Sequence, residues 1–164
     1  MKRILFFLLS VIVLFQAIPV SGLAGTVTAE KTVSALVHKY RQYDGVETIN
    51  IGGLLMAVAR ITCDGEDAEI LKHIDKVTVF SAEEASQDLK SEISRDFGNL
   101  LSDRMTGFEK MMEVKDSGDE MSVFVKMSGD DAISELLMVS RSEAVIVYIV
   151  GQIPLSLLSK IVES

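Results

Sequence analysis

Cys63 and His73 are the residues of this chain whose types best suit chemistry, a thiol and an imidazole ten positions apart. Brought together beside a carboxylate they would make an activated nucleophile, the arrangement of a small hydrolase with an atypical site. Spacing alone neither requires nor forbids this, because such groups assemble in space. The linear signatures of better-defined sites are missing. There is no Gly-x-Ser-x-Gly elbow, and His38 and His73 belong to no His-x-x-x-His or Cys-x-x-Cys spacing able to hold zinc. Asp64, Glu66, Asp67 and Glu69 put four carboxylates into six residues, but without the alternating ligands and distal bidentate glutamate of a calcium loop. Gly52-Gly53 lacks the third glycine of a dinucleotide fingerprint and the Gly-Lys-Ser/Thr of a phosphate loop, so it reads as a turn. The chain is accordingly expected to carry no catalytic, cofactor-binding or metal site and to be no enzyme.

Two further patterns suit binding. Glu84, Asp88, Glu92 and Asp96 recur every four residues and would stack like charges along one helix face. Each adjacent pair costs roughly 0.2–0.5 kcal/mol, so helix stability does not explain the ladder. It is either the solvated face of an acidic protein or a protein-docking face for a basic partner. Six methionines lie between Met105 and Met138. Such flexible side chains are either plain core or the lining for a carried apolar ligand.

These residues need a scaffold, and the hydrophobic pattern supplies one. Val33, Leu36, Val37 and Tyr40, at i, i+3, i+4 and i+7, predict an amphipathic helix that Asp44-Gly45 ends. Val46 to Ile51 alternates as a strand, Leu54 to about Ile61 reads as a short helix, and Ile70, Leu71 and Ile74 read as a helical turn. The strand Lys76 to Phe80 leads to Ser81, which with Glu84 predicts a capping box for the longest helix. Ala85, Leu89, Ile93, Phe97, Leu101 and Met105 repeat along that helix, and Leu100 and Phe108 widen the stripe.

From Met111 to Val150 four strands follow. Their turns, Asp116-Ser117-Gly118-Asp119, Ser128-Gly129-Asp130-Asp131 and Ser140-Arg141-Ser142, are short enough to permit only antiparallel neighbours. Ala144 to Val150 has no polar position, which predicts burial on both faces near the sheet centre, whereas Met121 to Met127 alternates. Ile153, Leu157 and Ile161 predict a terminal helix with Pro154 in its first turn. The expected fold is a single α+β domain over residues 25–164: an antiparallel four-strand meander within a mixed sheet, packed by a long central helix and by N- and C-terminal helices.

Composition sets the compartment. With 48% hydrophobic and 24% charged residues, the 164-residue chain has the content of one globular core. Met1-Lys2-Arg3 is basic, Ile4 to Val20 is apolar apart from Ser10 and Gln16, and small residues follow at Ser21, Gly22, Ala24 and Gly25. This is the anatomy of a secretory signal peptide over residues 1–24, and its apolar run, interrupted by Pro19, is marginal for a spanning helix. No membrane span is expected once it is removed. The single cysteine, Cys63, lies far downstream of the leader, so export to the periplasm or exterior is expected without a lipoprotein anchor, and with Cys63 buried. Losing Lys2 and Arg3 with the leader removes two of 16 basic residues and none of 24 acidic ones, making the formal charge of −8 more negative still. Such a surface repels phosphate backbones, which argues against nucleic acid and anionic membranes as partners.

Several segments also resemble a known family. Tyr43-Asp44-Gly45-Val46, Lys72-His73-Ile74-Asp75-Lys76-Val77, Met112-Glu113-Val114-Lys115-Asp116, Ile133-Ser134-Glu135-Leu136-Leu137-Met138 and Gly151-x-Ile153-x-Leu155 look like the domain-of-unknown-function family numbered 4252. The resemblance covers essentially the whole mature chain. It implies an exported protein of about this length of the Bacteroidetes type, in a family where lipoprotein signals are common and no catalytic residue is assigned. Here the lipoprotein cysteine is missing, and Gln152 and Pro154 stand where acidic residues are expected. The function expected is that of an exported envelope protein acting as a binding or interaction module for an unknown envelope protein. The alternative is a small hydrolase, or a carrier of an apolar ligand.

Overall fold

The computed structural model describes residues 29–63, 66–103, 107–116 and 119–157. The expected leader, Met105, Ile161 and the turn residues Ser117-Gly118 lie outside them. The chain runs α1 (Ala29–Tyr40), β1 (Glu47–Gly52), α2 (Leu54–Thr62), α3 (Glu66–Lys72), β2 (Ile74–Ser81), α4 (Gln87–Asp103), β3 (Phe108–Asp116), β4 (Asp119–Ser128), β5 (Ala132–Ser140) and β6 (Val145–Pro154). The strands form one six-stranded sheet in the order β1-β2-β6-β5-β4-β3, so the domain is α+β.

Every neighbouring pair is antiparallel, which corrects the expected mixed sheet. A helical connection after β2 suggests a parallel pair, and α4 does lead from β2 to a strand of the same direction. That strand, β3, is the far edge, with β6, β5 and β4 between them, so same-direction strands never become neighbours.

Alternation along the strands gives the sheet two apolar faces. Ile146 and Tyr148 of β6 join Phe80, Leu137 and Val139 under α1 and α4, where Val33, Tyr40, Ile93 and Phe97 complete the core. Val145 and Val147 face the other way with Val77, Val79, Val123, Val125 and Ile133, a cluster that also takes Met56 of α2 and packs Ile70 and Leu71 of α3. Phe97 and Ile93 are fully buried, and each contributes about 1.5–3 kcal/mol relative to leaving it in water.

Two boundaries differ from expectation. Ser81 ends β2 and does not cap α4: its Oγ accepts only the Glu83 N–H at 3.4 Å. The helix begins at Gln87, with Ser86 Oγ accepting the Leu89 N–H at 3.4 Å. Ala82 and Ala85, both buried, draw residues 82–86 into a turn on the core, and this delays the helix. Nor does a helix begin at Ile153. Ile153 and Pro154 belong to β6, opposite Ile133 and Ala132, and only residues 155–157 are helical within the described chain. The alternation of β6 continues because Ile153 is needed on the α2 face, where it is buried, and a proline costs little at the last strand position.

Candidate functional site

Three places on the domain stand out, two of them polar clusters and one an exposed apolar stripe. Beneath α1 the first follows a row across the strands, because Asn50 stands opposite Thr78 and Thr78 opposite Tyr148. The next row places Lys76 opposite Val150, Val150 opposite Glu135, and Glu135 opposite Lys126. Thr78 Oγ donates to Asn50 Oδ1 at 2.8 Å, and Lys76 Nζ reaches Glu30 Oε1 at 2.7 Å. The Tyr148 hydroxyl donates to Glu135 Oε2, and Lys126 Nζ holds Glu135 Oε1 at 2.8 Å.

Glu30, Ser34, Asn50, Lys76, Thr78 and Tyr148, with two valines of α1, enclose about 40 Å³. A water needs roughly 10–15 Å³, so this volume suits ordered solvent, whereas ligand pockets run to about 300–1,000 Å³. The chemistry agrees with the size. Burial, then the Glu135 carboxylate, pushes the Tyr148 hydroxyl far above the ordinary tyrosine range. A phenol so held is a hydrogen-bond donor and no base. The cluster ties β4, β5 and β6 together.

The second place joins α1 to α4. Lys39 Nζ contacts Glu92 Oε1 at 3.0 Å and Asp96 Oδ2 at 2.8 Å, and the Tyr40 hydroxyl lies 3.0 and 2.8 Å from the same two oxygens. Its single proton serves one carboxylate at a time while it accepts from the Lys39 ammonium at 2.8 Å. The bond to Lys39 holds both Asp96 and Glu92 below the usual carboxylate range, and burial pushes Tyr40 up to about 12.

The expected acidic ladder therefore has a different geometry. Glu84 precedes the helix, Glu92 and Asp96 share the single Lys39 ammonium from another element, and Asp88 stands on the first turn of α4. The like-charge cost that made the ladder puzzling is offset by Lys39, whose contribution no spacing within residues 84–96 reveals.

Cys63 is half-buried at the end of α2, where its N–H donates to Ala59. His73 lies 3.9 Å from Glu69. No hydrogen bond joins the two among the described residues. Gly53 makes the turn into α2 with φ 52°, as the paired glycines suggest. The methionines are dispersed: Met127 and Met138 pack on the α2 face of the sheet, while Met111 and Met112 on β3 are exposed.

The third place was not singled out from sequence. On α2, Leu54, Val58 and Ile61 fall at i, i+4 and i+7, yet Leu54 is 82% and Ile61 81% exposed. Met56 alone on this helix is buried. The signal available in the sequence was the absence of any charge from Thr48 to Ala59. Arg60 follows, and its guanidinium is held down, with Nε donating to Leu71 O at 2.9 Å and Nη2 to Ile74 O at 2.5 Å.

Residues 40–161 match the family described as Domain of unknown function (DUF4252). No curated protein and no solved structure matches the chain.

Proposed function

Because the chain belongs to the Domain of unknown function (DUF4252) family, which brings no activity with it, we propose from the residues themselves that it is an exported, non-enzymatic binding module. It acts by contact with a protein of the envelope. The observation that carries this reading is the exposed stripe of Leu54, Val58 and Ile61, since contiguous apolar surface left in water marks an interaction site. The strands β3 to β6 serve as a rigid meander, with α4 as the long helix across it, while β1, β2 and α3 pack against α2 and hold that surface in place. The leader-like residues 1–24 support export, with a mature chain beginning between Leu23 and Glu30. Glu84 and Asp88, outside the Lys39 pairs, would steer a basic partner at long range.

The test is fractionation and capture from the native envelope with the full chain expressed. The mature protein should appear outside the cytoplasm and bring a protein partner with it, and the double variant Leu54→Glu, Ile61→Glu should fold and lose that partner. Cytoplasmic retention, or capture indifferent to the double variant, would overturn the reading.

A further inference from the structure

Methionines dispersed over β3, β4 and β5 are brought onto one face by the register of the sheet. Met112 stands opposite Val123 and Val123 opposite Met138, while Met121 lies two residues before Val123 on β4. Opposed residues share a face, as do residues two apart along a strand, so Met112, Met121 and Met138 surround Val123. This is the face whose other end, at β1 and β2, is packed by α2. The register shifts of β3 and β4 fall outside the pairings of Met112 to Asp116 and of Met121 to Lys126. Met121 is therefore diagonal to both other methionines, about 7–8 Å away, and Met112 and Met138 flank Val123 from either side, about 10 Å apart. Each carries its sulfur on an unbranched stem with three rotatable bonds, and three such stems can turn to one point above Val123.

Accessibility separates this group from plain core. Val123 is 3% exposed, whereas Met112 is 41% exposed and Met121 and Met138 are half-buried. An apolar floor thus lies beneath thioethers that solvent reaches. Met111, left over by the β3 bulge, adds a further thioether beside Met112 and is itself exposed. Strands favour Val, Ile and Thr over methionine, and a local preference broken repeatedly in one place marks a functional site.

We propose that Met112, Met121 and Met138 bind a soft monovalent cation of the Cu(I) class. Thioether sulfur is a neutral, polarizable donor that suits Cu(I), whereas Mg²⁺, Ca²⁺ and Mn²⁺ take carboxylates, carbonyls and water. No group of three His, Cys, Asp or Glu able to hold an ion occurs among the described residues, so the thioethers are the donor set on offer there. The field favours a cation: Glu109, opposite Val125 on this face, stands at the rim, and the chain carries a formal charge of −8. Thioethers form no disulfides, so such a site persists in the oxidising compartment that residues 1–24 support. It is independent of the contact surface on α2.

The test titrates Ag(I), a redox-inert stand-in for Cu(I), into protein purified from cells expressing the full chain, and follows the heat and the methionine methyl signals by NMR. Cys63 is a competing soft ligand, half-buried at the end of α2, so the titration is run on Cys63→Ser as well. In Cys63→Ser one ion per chain should bind and shift the methyl signals of Met112, Met121 and Met138, leaving that of Met56, buried on α2, in place. Cu(I) kept reduced without oxygen should displace Ag(I), and Zn(II) should not move those signals. Met112→Leu and Met121→Leu conserve volume and keep the fold. In the Cys63→Ser background each should weaken Ag(I) binding at least about tenfold, the least that losing even an outer hydrogen-bond partner costs a metal site. Absence of binding in Cys63→Ser overturns the proposal. So does binding that both leucine variants leave intact, or an ion that shifts Met56 and spares the other three.

Discussion

Gly151 and Gly98 are predicted to respond to the same substitution with opposite signs. A Cβ at Gly151 would sit 2.0 Å from the His73 carbonyl oxygen and 3.0 Å from Ile74 Cα, both backbone atoms, where ordinary contact begins at 3.4 Å. The close approach arises at an irregularity. β6 pairs Gly151 with Ile74 and Val150 with Lys76, so Asp75 is left over as a bulge, and the Gln152 N–H then reaches His73 O at 2.8 Å. Gly151→Ala must push these backbones apart and break that bond. Overpacking costs about 1–3 kcal/mol and an unmet buried backbone group about 1–3 kcal/mol, which sum to roughly 2–6 kcal/mol. For a domain of this size 1 kcal/mol shifts Tm by about 3–5 °C, so a fall on the order of 10–20 °C is expected.

Gly98 lies within α4, where an added methyl would meet nothing inside 4 Å and the backbone is not left-handed. There Gly98→Ala removes only the entropic penalty of glycine in a helix and should raise stability by about 0.5–1 kcal/mol. Thermal unfolding by circular dichroism on both variants decides the matter. A Gly151→Ala protein melting within 2–3 °C of wild type, about 1 kcal/mol or less, would refute the close packing of β6 on the β2 bulge.

Three other outcomes are expected. Tyr148→Phe leaves one oxygen of Glu135 without its donor in a half-buried site and should cost about 1.5–3 kcal/mol in denaturant unfolding; no loss would mean that the hydroxyl is not bonded to that carboxylate. Glu92→Lys sets an ammonium against Lys39 and should lower Tm, whereas Asp88→Lys, at a position with no ion pair among the described residues, should change stability by no more than about 0.5 kcal/mol; equal effects would discard the α1–α4 ion pair. Raised by burial to about 12, Tyr40 should form its phenolate late, so its stabilisation is full below the unfolded tyrosine value of about 10 and lost as pH rises through 12. Asp96 and Glu92, held low chiefly by Lys39, act oppositely: their contribution is present above the unfolded carboxylate range and lost as pH falls below it, which an acid titration of unfolding free energy measures.

Local signals carried much of this fold, and competing local signals mark where they ran out. The stripe Val33, Leu36, Val37, Tyr40 was legible because one helix buries one face, and the unbroken apolar run of β6 because that strand is covered on both sides. The start of α4 was not, since Ser81 and Ser86 both fit a cap and only the burial of Ala82 and Ala85 chooses between them. Ile153 suits either period, and tertiary demand on the α2 face made it strand. The Lys39 bridge joins residues more than fifty positions apart, beyond the reach of any helical spacing.

The α2 helix shows the same limit from the side of function. Leu54, Met56, Val58 and Ile61 leave it apolar around most of its circumference, so the pattern says that it wants cover without saying which side receives it. Of the residues of this helix only Met56 is fully buried. Leaving Leu54 and Ile61 some four-fifths in water forgoes most of the ~1.5–3 kcal/mol that each would gain on burial, roughly 3–5 kcal/mol together. An exposed ion pair contributes at most about 1 kcal/mol, and Glu92 and Asp96 already spend theirs on Lys39. On these magnitudes association through the uncharged β1–α2 end outweighs association through the acidic face of α4, and substitutions at Leu54 and Ile61 should weaken binding more than any charge reversal at Asp88.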